Sequence, residues 1–388
     1  MEITNRWSRI PEEWYLLLYR KSSSNIQSYQ NRQMSRAYLG ILRKVTTCGS
    51  RRLSSFVFPK THRAVVIKTH GDSSVLSMEE KYPLNFKSSE DVSEDEVVVQ
   101  HSYAGLNFID TYYRSGLYTQ PLPFIGGGEM VGKIVYAGEN AKVSGARLGM
   151  RVGCMNLGAY CEYSKLKFDQ CIQIPDEVAD AIALSSMIQG LTAHYLVEIA
   201  QDQWLKEGDW CVVHAGAGGT GSLLVQMAKQ KGFRVISTSS KSKIELAKKC
   251  GADIAVCYDE LHKAVQSATN GFGAKAVFDG VGEKTAADSL DACASRGIVV
   301  FFGNASGPVP PVDPLKLVPK SLFITRPKLG DYIATKQELQ RRADEIFEWI
   351  RNGSLQINTD KVFDLKDARL AHDYIESGKT TGKVLIKI

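Results

Sequence analysis

The stretch WCVVHAGAGGTGSLLVQMAKQKGFRVISTSS, residues 210–240, reads as a strand, a glycine turn, a helix and a second strand. Trp210 to His214 is rich in β-formers, and Gly216, Gly218 and Gly221 then satisfy G-x-G-x-x-G where a buried parallel strand hands over to a helix. In such a unit the first glycine permits the tight turn, the second lets the backbone approach a pyrophosphate, and the third lets helix and strand pack closely. Unpaired N–H groups at the helix start, and its dipole, favour phosphate. Leu223, Leu224, Val225, Met227 and Ala228 give the helix its apolar content, Gly232 stops it, and Phe233 to Thr238 supplies the second strand.

The end of that second strand bears on which dinucleotide binds. Enzymes that use NAD usually place an acid about 20 residues after the first glycine to hold the ribose hydroxyls. From Phe233 to Ile244 there is no Asp or Glu; Ser239, Ser240, Lys241 and Lys243 stand there instead. They suit a 2′-phosphate by hydrogen bonding and charge, so NADPH is the expected cofactor. Taken singly, each lysine also reads as an ordinary solvated surface charge.

At 388 residues the chain is long enough for two domains with substantial cores. The longest continuous apolar candidate, Trp14 to Tyr19, is six residues against the roughly 20 that a span requires, so no membrane association is expected. Residues 1–60 hold eleven Lys or Arg and three acids, a surplus of eight in a chain whose net charge is +6. The body is therefore nearly neutral, which argues against nucleic acid as the main partner. The eight cysteines include no C-x-x-C pair and imply neither a disulfide framework nor a metal cluster.

Residues 1–60 read as an extension outside the fold. From Met34 to Phe58 there is no acid, and wound as a helix this segment puts Tyr38, Ile41, Leu42 and Val45 opposite Arg36, Arg43, Lys44 and Arg51. That pattern matches a mitochondrial transit peptide, with Met34 a possible start; the alternative is a disordered basic tail on a cytosolic protein.

The body opens with strands at His62–Lys68 and Glu96–Gln100, and Ile125–Asn140 and Arg151–Tyr163 continue as a turn-rich β region. Helices are expected at Asp176–Met187 and Gln189–Ala200 before the nucleotide unit. Beyond it, strands at Ile254–Tyr258, Ala276–Asp279, Ile298–Phe302 and Leu322–Thr325 alternate with helices such as Leu261–Thr269 and Thr285–Ala294. This is the pattern of an α/β chain with a doubly wound parallel sheet. A helix at Thr335–Asn352, a strand at Lys361–Leu365, a helix at Asp367–Ser377 and a strand at Lys383–Ile388 follow. These last pieces are expected to rejoin the β region, with the active site in a cleft between the two domains.

Six blocks, LNFIDTYYRSGLY (106–118), GLTA (190–193), HAGAGGTG (214–221), DGVG (279–282), FGNASG (302–307) and TRPKL (325–329), together resemble the zinc-independent, zeta-crystallin-like quinone oxidoreductases of the medium-chain dehydrogenase/reductase superfamily. The resemblance runs from His62 to Ile388. It implies a GroES-like catalytic domain from residues 61–188 and 327–388 and a Rossmann NADPH-binding domain from residues 189–326. It places Asn107, Tyr112 and Tyr118 at the nicotinamide and substrate cleft. Thr192, Phe302, Gly303 and Asn304 fall beside the nicotinamide. Gly216, Gly218, Gly219, Thr220 and Gly221 are the expected pyrophosphate turn, Ser239 stays with the groups that suit the 2′-phosphate, and the resemblance puts Lys243 and Tyr258 at the adenosine phosphate. A homodimer is also implied.

Two departures stand out: Gly216 where relatives carry Ala, and Gln189 where they carry Lys. Zinc-dependent cousins ligate a metal with Cys and His where this chain has Asn107 and the Gly127–Gly128 pair ahead of Glu129, so no metal is expected and Glu129 reads as structural. The expected reaction is reduction of a quinone by NADPH. Reduction of an enone or alkenal double bond is the enzymatic alternative, and an RNA-binding or structural role the non-enzymatic one.

Overall fold

The structure, a computed structural model, describes residues 57–388. Most of the basic extension, with its transit-peptide reading and Cys48, lies outside the described residues. Phe58–Ile388 form one compact unit.

Two sheets make the β-rich part. Strand β1 (Thr61–Ile67) lies between β2 (Leu76–Pro83) and β4 (Phe124–Ile125), and β3 (Glu96–Leu106) opens the second sheet. There β3 pairs antiparallel with β5 (Glu129–Ala137), which continues to β6 (Arg151–Cys154) and β8 (Cys171–Gln173), while β7 (Tyr163–Lys167) also pairs with β3. The run Val97-Val98-Val99 is fully buried, which explains why β3 forms the centre of this sheet. The expected β segment at 151–163 is two strands, β6 and β7, separated by a loop that buries Tyr160.

Six strands, β9 (Trp210–Val213), β10 (Arg234–Thr238), β11 (Ile254–Val256), β12 (Ala274–Asp279), β13 (Cys293–Phe301) and β14 (Phe323–Thr325), pair in parallel in the order β11-β10-β9-β12-β13-β14. Numbered from β9, that is 3-2-1-4-5-6, the doubly wound order of a Rossmann sheet. Its central strands are apolar on both faces because both faces are covered: Cys211, Val212, Val213, Val277 and Phe278 are wholly buried. The chain then returns through β15 (Thr359–Asp364) and β16 (Lys383–Lys387), and β16 pairs antiparallel with β3.

Ten α-helices surround the sheets in the described residues. They are α1 (Phe108–Ser115), α2 (Glu139–Val143), α3 (Asp180–Ser185), α4 (Ile188–Gln203), α5 (Gly219–Gln230), α6 (Ile244–Lys249), α7 (Leu261–Ala268), α8 (Ala286–Ala292), α9 (Lys336–Arg351) and α10 (Ala368–Glu376). The helix expected over Asp176–Met187 shrinks to the six residues of α3, and that expected over Thr285–Ala294 ends at Ala292 because Cys293 already belongs to β13. No helix among the described residues is long and apolar enough to cross a membrane.

Candidate active site

The glycine turn sits at the topological switch point, where β9 lies between β10 and β12 and the strand order reverses. Its tight bend is not made by the first glycine, as the sequence pattern suggests. Ala215 takes the left-handed conformation, with φ of 52°. Gly216 instead lets the turn run close to β10, where a Cβ would meet the Ser237 hydroxyl. Gly221 fits its expected part, since a Cβ would collide with the Ala215 carbonyl and push α5 off the turn. Gly218 to Gly221 therefore open α5 directly onto a cleft of about 340 Å³, with first-turn N–H groups that have no intrahelical acceptor. This arrangement fits a dinucleotide pyrophosphate.

The opposite wall comes from α1 and the loop after it. Asn107 stands at the N-cap of α1, and the Asp110 carboxylate accepts from the Asn107 N–H at 2.7 Å, which helps fix where the helix begins. Asp110 is fully enclosed, and burial pushes its carboxyl up to about 7, with the Asn107 N–H opposing the rise. Tyr112 and Tyr118 project into the cleft with ring centroids 5.3 Å apart, edge to face. Burial pushes the Tyr112 hydroxyl up to about 12, so it stays protonated at neutral pH. The Tyr118 hydroxyl lies 3.4 Å from the Asn304 amide and 3.5 Å from Arg326. The Asn304 amide satisfies both its ends when it donates to the Gly303 carbonyl at 2.9 Å and accepts from Arg326 at 3.3 Å.

Beneath these groups lies a buried charge cluster. The Asn107 amide donates to Glu129 at 2.7 Å and accepts from the Lys383 ammonium at 2.6 Å, and Lys383 also donates to Glu129. The second Glu129 oxygen accepts from the Ile188 N–H at 2.9 Å, at the first turn of α4. Glu129 therefore ties β5, β16, α1 and α4 together. Asn107 and Glu129 are thus both engaged with the Lys383 ammonium.

The groups beyond the end of β10 are built differently. Lys243 donates to the carbonyls of Gly378 and Thr380, at 2.7 and 2.6 Å, and so clasps the segment leading into β16. Burial lowers its pKa. Ser239 is almost wholly buried and its hydroxyl turns to the Ser240 carbonyl at 3.2 Å. Tyr258 stacks on His214, centroids 6.1 Å apart and planes within 5°. His214 in turn contacts the Thr238 hydroxyl at 2.8 Å and Ser289 at 3.1 Å, and Ser289 donates to the buried Asp279 at 2.7 Å. Asp279 also accepts from the N–H groups of Val281 and Gly282, which is what shapes the DGVG block.

Of the residues anticipated from sequence, Asn107, Tyr112, Tyr118, Thr192, Gly218, Gly219, Thr220, Gly221, Phe302 and Gly303 line this one cleft. Gly216, Ser239, Lys243, Tyr258 and Asn304 do not line it; they stand behind or beside its wall. Sequence reasoning missed His214, Tyr195 and Arg326, which do line it, and Lys383, which supports it from below. His214 and Arg326 sit inside the quoted blocks and could have been carried over. Nothing in the spacing announces Lys383.

A second group, His194, Glu198 and Glu345, offers donor atoms within 4.8 Å of one another. Its charges are met internally: Arg342 donates to the His194 Nδ1 at 2.9 Å and also to Glu198, the His194 Nε2 donates to Glu345 at 2.9 Å, and Arg341 pairs with Glu345 at 2.7 Å. It locks α4 to α9.

Family models for the alcohol dehydrogenase GroES-like domain and for zinc-binding dehydrogenases match residues 93–207 and 219–347. A probable quinone oxidoreductase of Schizosaccharomyces pombe is 40% identical over 293 residues, 75% of this chain and 88% of that protein. The chain belongs to the quinone oxidoreductase family of the medium-chain dehydrogenase/reductase superfamily. The Escherichia coli quinone oxidoreductase complexed with NADPH superposes with a TM-score of 0.79 at 34% identity, covering 84% of this chain and all of that one. A 2-haloacrylate reductase of a Burkholderia species is 32% identical over 308 residues, 75% of this chain and 90% of that protein.

Proposed function

We propose that this protein is an NADPH-dependent quinone reductase in which the cleft positions and shields the reactants and no metal takes part. The observation that carries this reading is the pairing, across one cleft, of an acid-free nucleotide site with two tyrosines and a protein-supplied cation beneath Asn107. NADPH supplies the hydride. Overall, NADPH, a quinone and a proton give NADP⁺ and a hydroquinone, and the aromatic product removes the need for a strong Lewis acid.

The chain's own groups do the rest. Gly219 to Gly221 present backbone N–H groups to the pyrophosphate, and Thr192, Phe302 and Gly303 flank the nicotinamide. Phe108, Ile109, Leu329 and the faces of Tyr112 and Tyr118 exclude water around a flat acceptor. Tyr118, backed by Arg326, donates toward the acceptor oxygen. Lys243, with Ser239 and Tyr258 behind it, lies at the 2′-phosphate end.

Assaying 9,10-phenanthrenequinone and 1,2-naphthoquinone with NADPH and NADH side by side tests this. Rapid NADPH oxidation with the quinones supports it; turnover with alkenals alone would replace it with the double-bond reductase reading, which the similarity to the 2-haloacrylate reductase favours. Tyr118→Phe is expected to slow quinone reduction about tenfold with NADPH affinity retained, the size of one lost hydrogen bond to a charged oxygen. An unchanged rate removes Tyr118 from the site.

The protein acts as a homodimer joined at β14. That strand is an edge of the six-stranded sheet, and Phe323, Ile324, Leu315 and Val318 expose apolar surface there. An exposed apolar edge is a template for pairing, and a second copy related by a twofold axis satisfies it without a free end. Sedimentation of Ile324→Lys checks this; a monomeric wild-type chain rejects it. Mitochondrial localisation rests on the basic leader alone, and imaging residues 34–60 fused to a fluorescent protein decides it against the cytosol.

A further inference from the structure

We infer that Glu129 and Lys383 are positioning residues that fix the polarity of the Asn107 amide, so that Asn107 presents an N–H, and not its oxygen, to the acceptor oxygen on which hydride transfer leaves negative charge. The inference deepens the quinone reading and rests on it for the acceptor's identity.

A carboxamide has two nearly isosteric orientations, and only its partners decide between them. Here the decision is unambiguous. Lys383 can only donate and Glu129 can only accept, so Oδ1 faces Lys383 at 2.6 Å and Nδ2 faces Glu129 at 2.7 Å. Every other polar group of Asn107 is engaged too: its backbone N–H by Asp110 and its backbone carbonyl by the Asp110 N–H at 3.1 Å. One donor is left over, the second N–H of Nδ2, on a residue that lines the cleft. A donor held by protein contacts before the reaction strengthens its bond as charge develops, without having to reorient. With the amide turned over, a lone pair would oppose the same charge.

The surroundings favour an orienting part over a merely cohesive one. Glu129 and Lys383 are 0% and 1% exposed, and an ion pair buried so fully adds little stability that well-packed apolar residues could not supply. The fold makes room for it. Gly105 stands directly opposite Glu129 in the β3–β5 register, and a Cβ at Gly105 would lie 2.5 Å from the carboxylate. The Ile188 N–H holds the second oxygen, so the carboxylate cannot rotate away from Asn107.

The test uses the full chain and the double variant Glu129→Gln/Lys383→Met, which removes both charges together and so avoids leaving one buried alone. It is compared with Asn107→Ala and with the triple variant. Two quantities are read: kcat with 9,10-phenanthrenequinone, and equilibrium binding of 4-nitrophenolate to the NADP⁺ complex, whose absorption band shifts when its oxygen accepts a hydrogen bond. The double variant is expected to lose about 100-fold in kcat and about tenfold in phenolate affinity, with its KM for NADPH within twofold of wild type. Asn107→Ala should lose the same, and the triple variant no more. A folded double variant with wild-type kcat and an unshifted phenolate affinity overturns the inference, as does a triple variant whose losses multiply. A wild-type chain that binds phenolate through Asn107 yet reduces no quinone overturns the acceptor reading while leaving the orienting part intact.

Discussion

Helix α4 is gripped by two charge clusters that use the same ingredients to different ends. At its first turn Glu129 and Lys383 are sealed from solvent and leave one amide N–H of Asn107 unspent. Along its flank His194 and Glu198 meet Arg341, Arg342 and Glu345 of α9, where the acids are a third or more exposed and His194 is partnered at both ring nitrogens. The comparison separates a cluster that closes on itself, which is a fastening, from one that leaves a donor unspent on a residue lining a cleft.

The sharpest way to break that contrast is to remove one charge from each cluster. Lys383→Met alone strands Glu129 where water cannot reach it, so a loss of about 3–5 kcal/mol in urea unfolding is expected. A loss under about 1 kcal/mol would mean that water enters the cluster. Acid should come next. Burial lowers His62 and His101 to about 4 and His372 to about 3, so each is neutral when folded and protonates more readily when unfolded. Stability present above about pH 6.5 is therefore lost as pH falls toward 4, by about 2 kcal/mol per histidine at pH 5. A thermal midpoint that is flat from pH 7 to 5 contradicts their neutrality. His194 adds less to this loss, because Glu345 and Glu198 beside it work against burial.

Lys243 is a third case, a cation bonded to backbone carbonyls. Lys243→Ala should raise the KM for NADPH about tenfold and leave that for NADH within twofold, the size of one charge-assisted contact to phosphate. Equal effects on both dinucleotides remove it from the 2′-phosphate. The smallest change is expected from Arg341→Ala, about 0.5 kcal/mol of stability with quinone turnover unchanged, since this half-exposed arginine leaves Glu198 and Glu345 free to hydrate. A fall in turnover would mean that the fastening also tunes the cleft.

The nucleotide half was largely legible from residues 210–240, because a parallel strand, a glycine turn and a helix must occur in that order and the apolar runs mark where the sheet lies. The register of function within it was less so. Gly216 and Ala215 divide the work of the turn in a way no glycine pattern reveals, since a left-handed alanine looks like any other alanine in sequence. Ser239 read as a 2′-phosphate contact by its hydroxyl, yet the end of β10 is covered and Ser237, Thr238 and Ser239 are all buried. Helix α1 passed unrecognised among its tyrosines, although Asn107 and Asp110 stand at capping-box spacing. Lys383 lies 254 residues from Glu129 and 276 from Asn107 in a final strand that reads only as apolar. Contacts at that separation are set by topology, and composition carries no trace of them.

The left-handed Ala215 has a thermodynamic meaning for the ligand. A glycine would reach φ of 52° freely but would also sample many other shapes, whereas alanine, once the sheet and α5 force it there, has few alternatives. The strain, about 1 kcal/mol, is absorbed when the chain folds. A dinucleotide then meets a phosphate cradle that has little disorder left to lose, and its affinity is not diminished by the entropy of setting a loop.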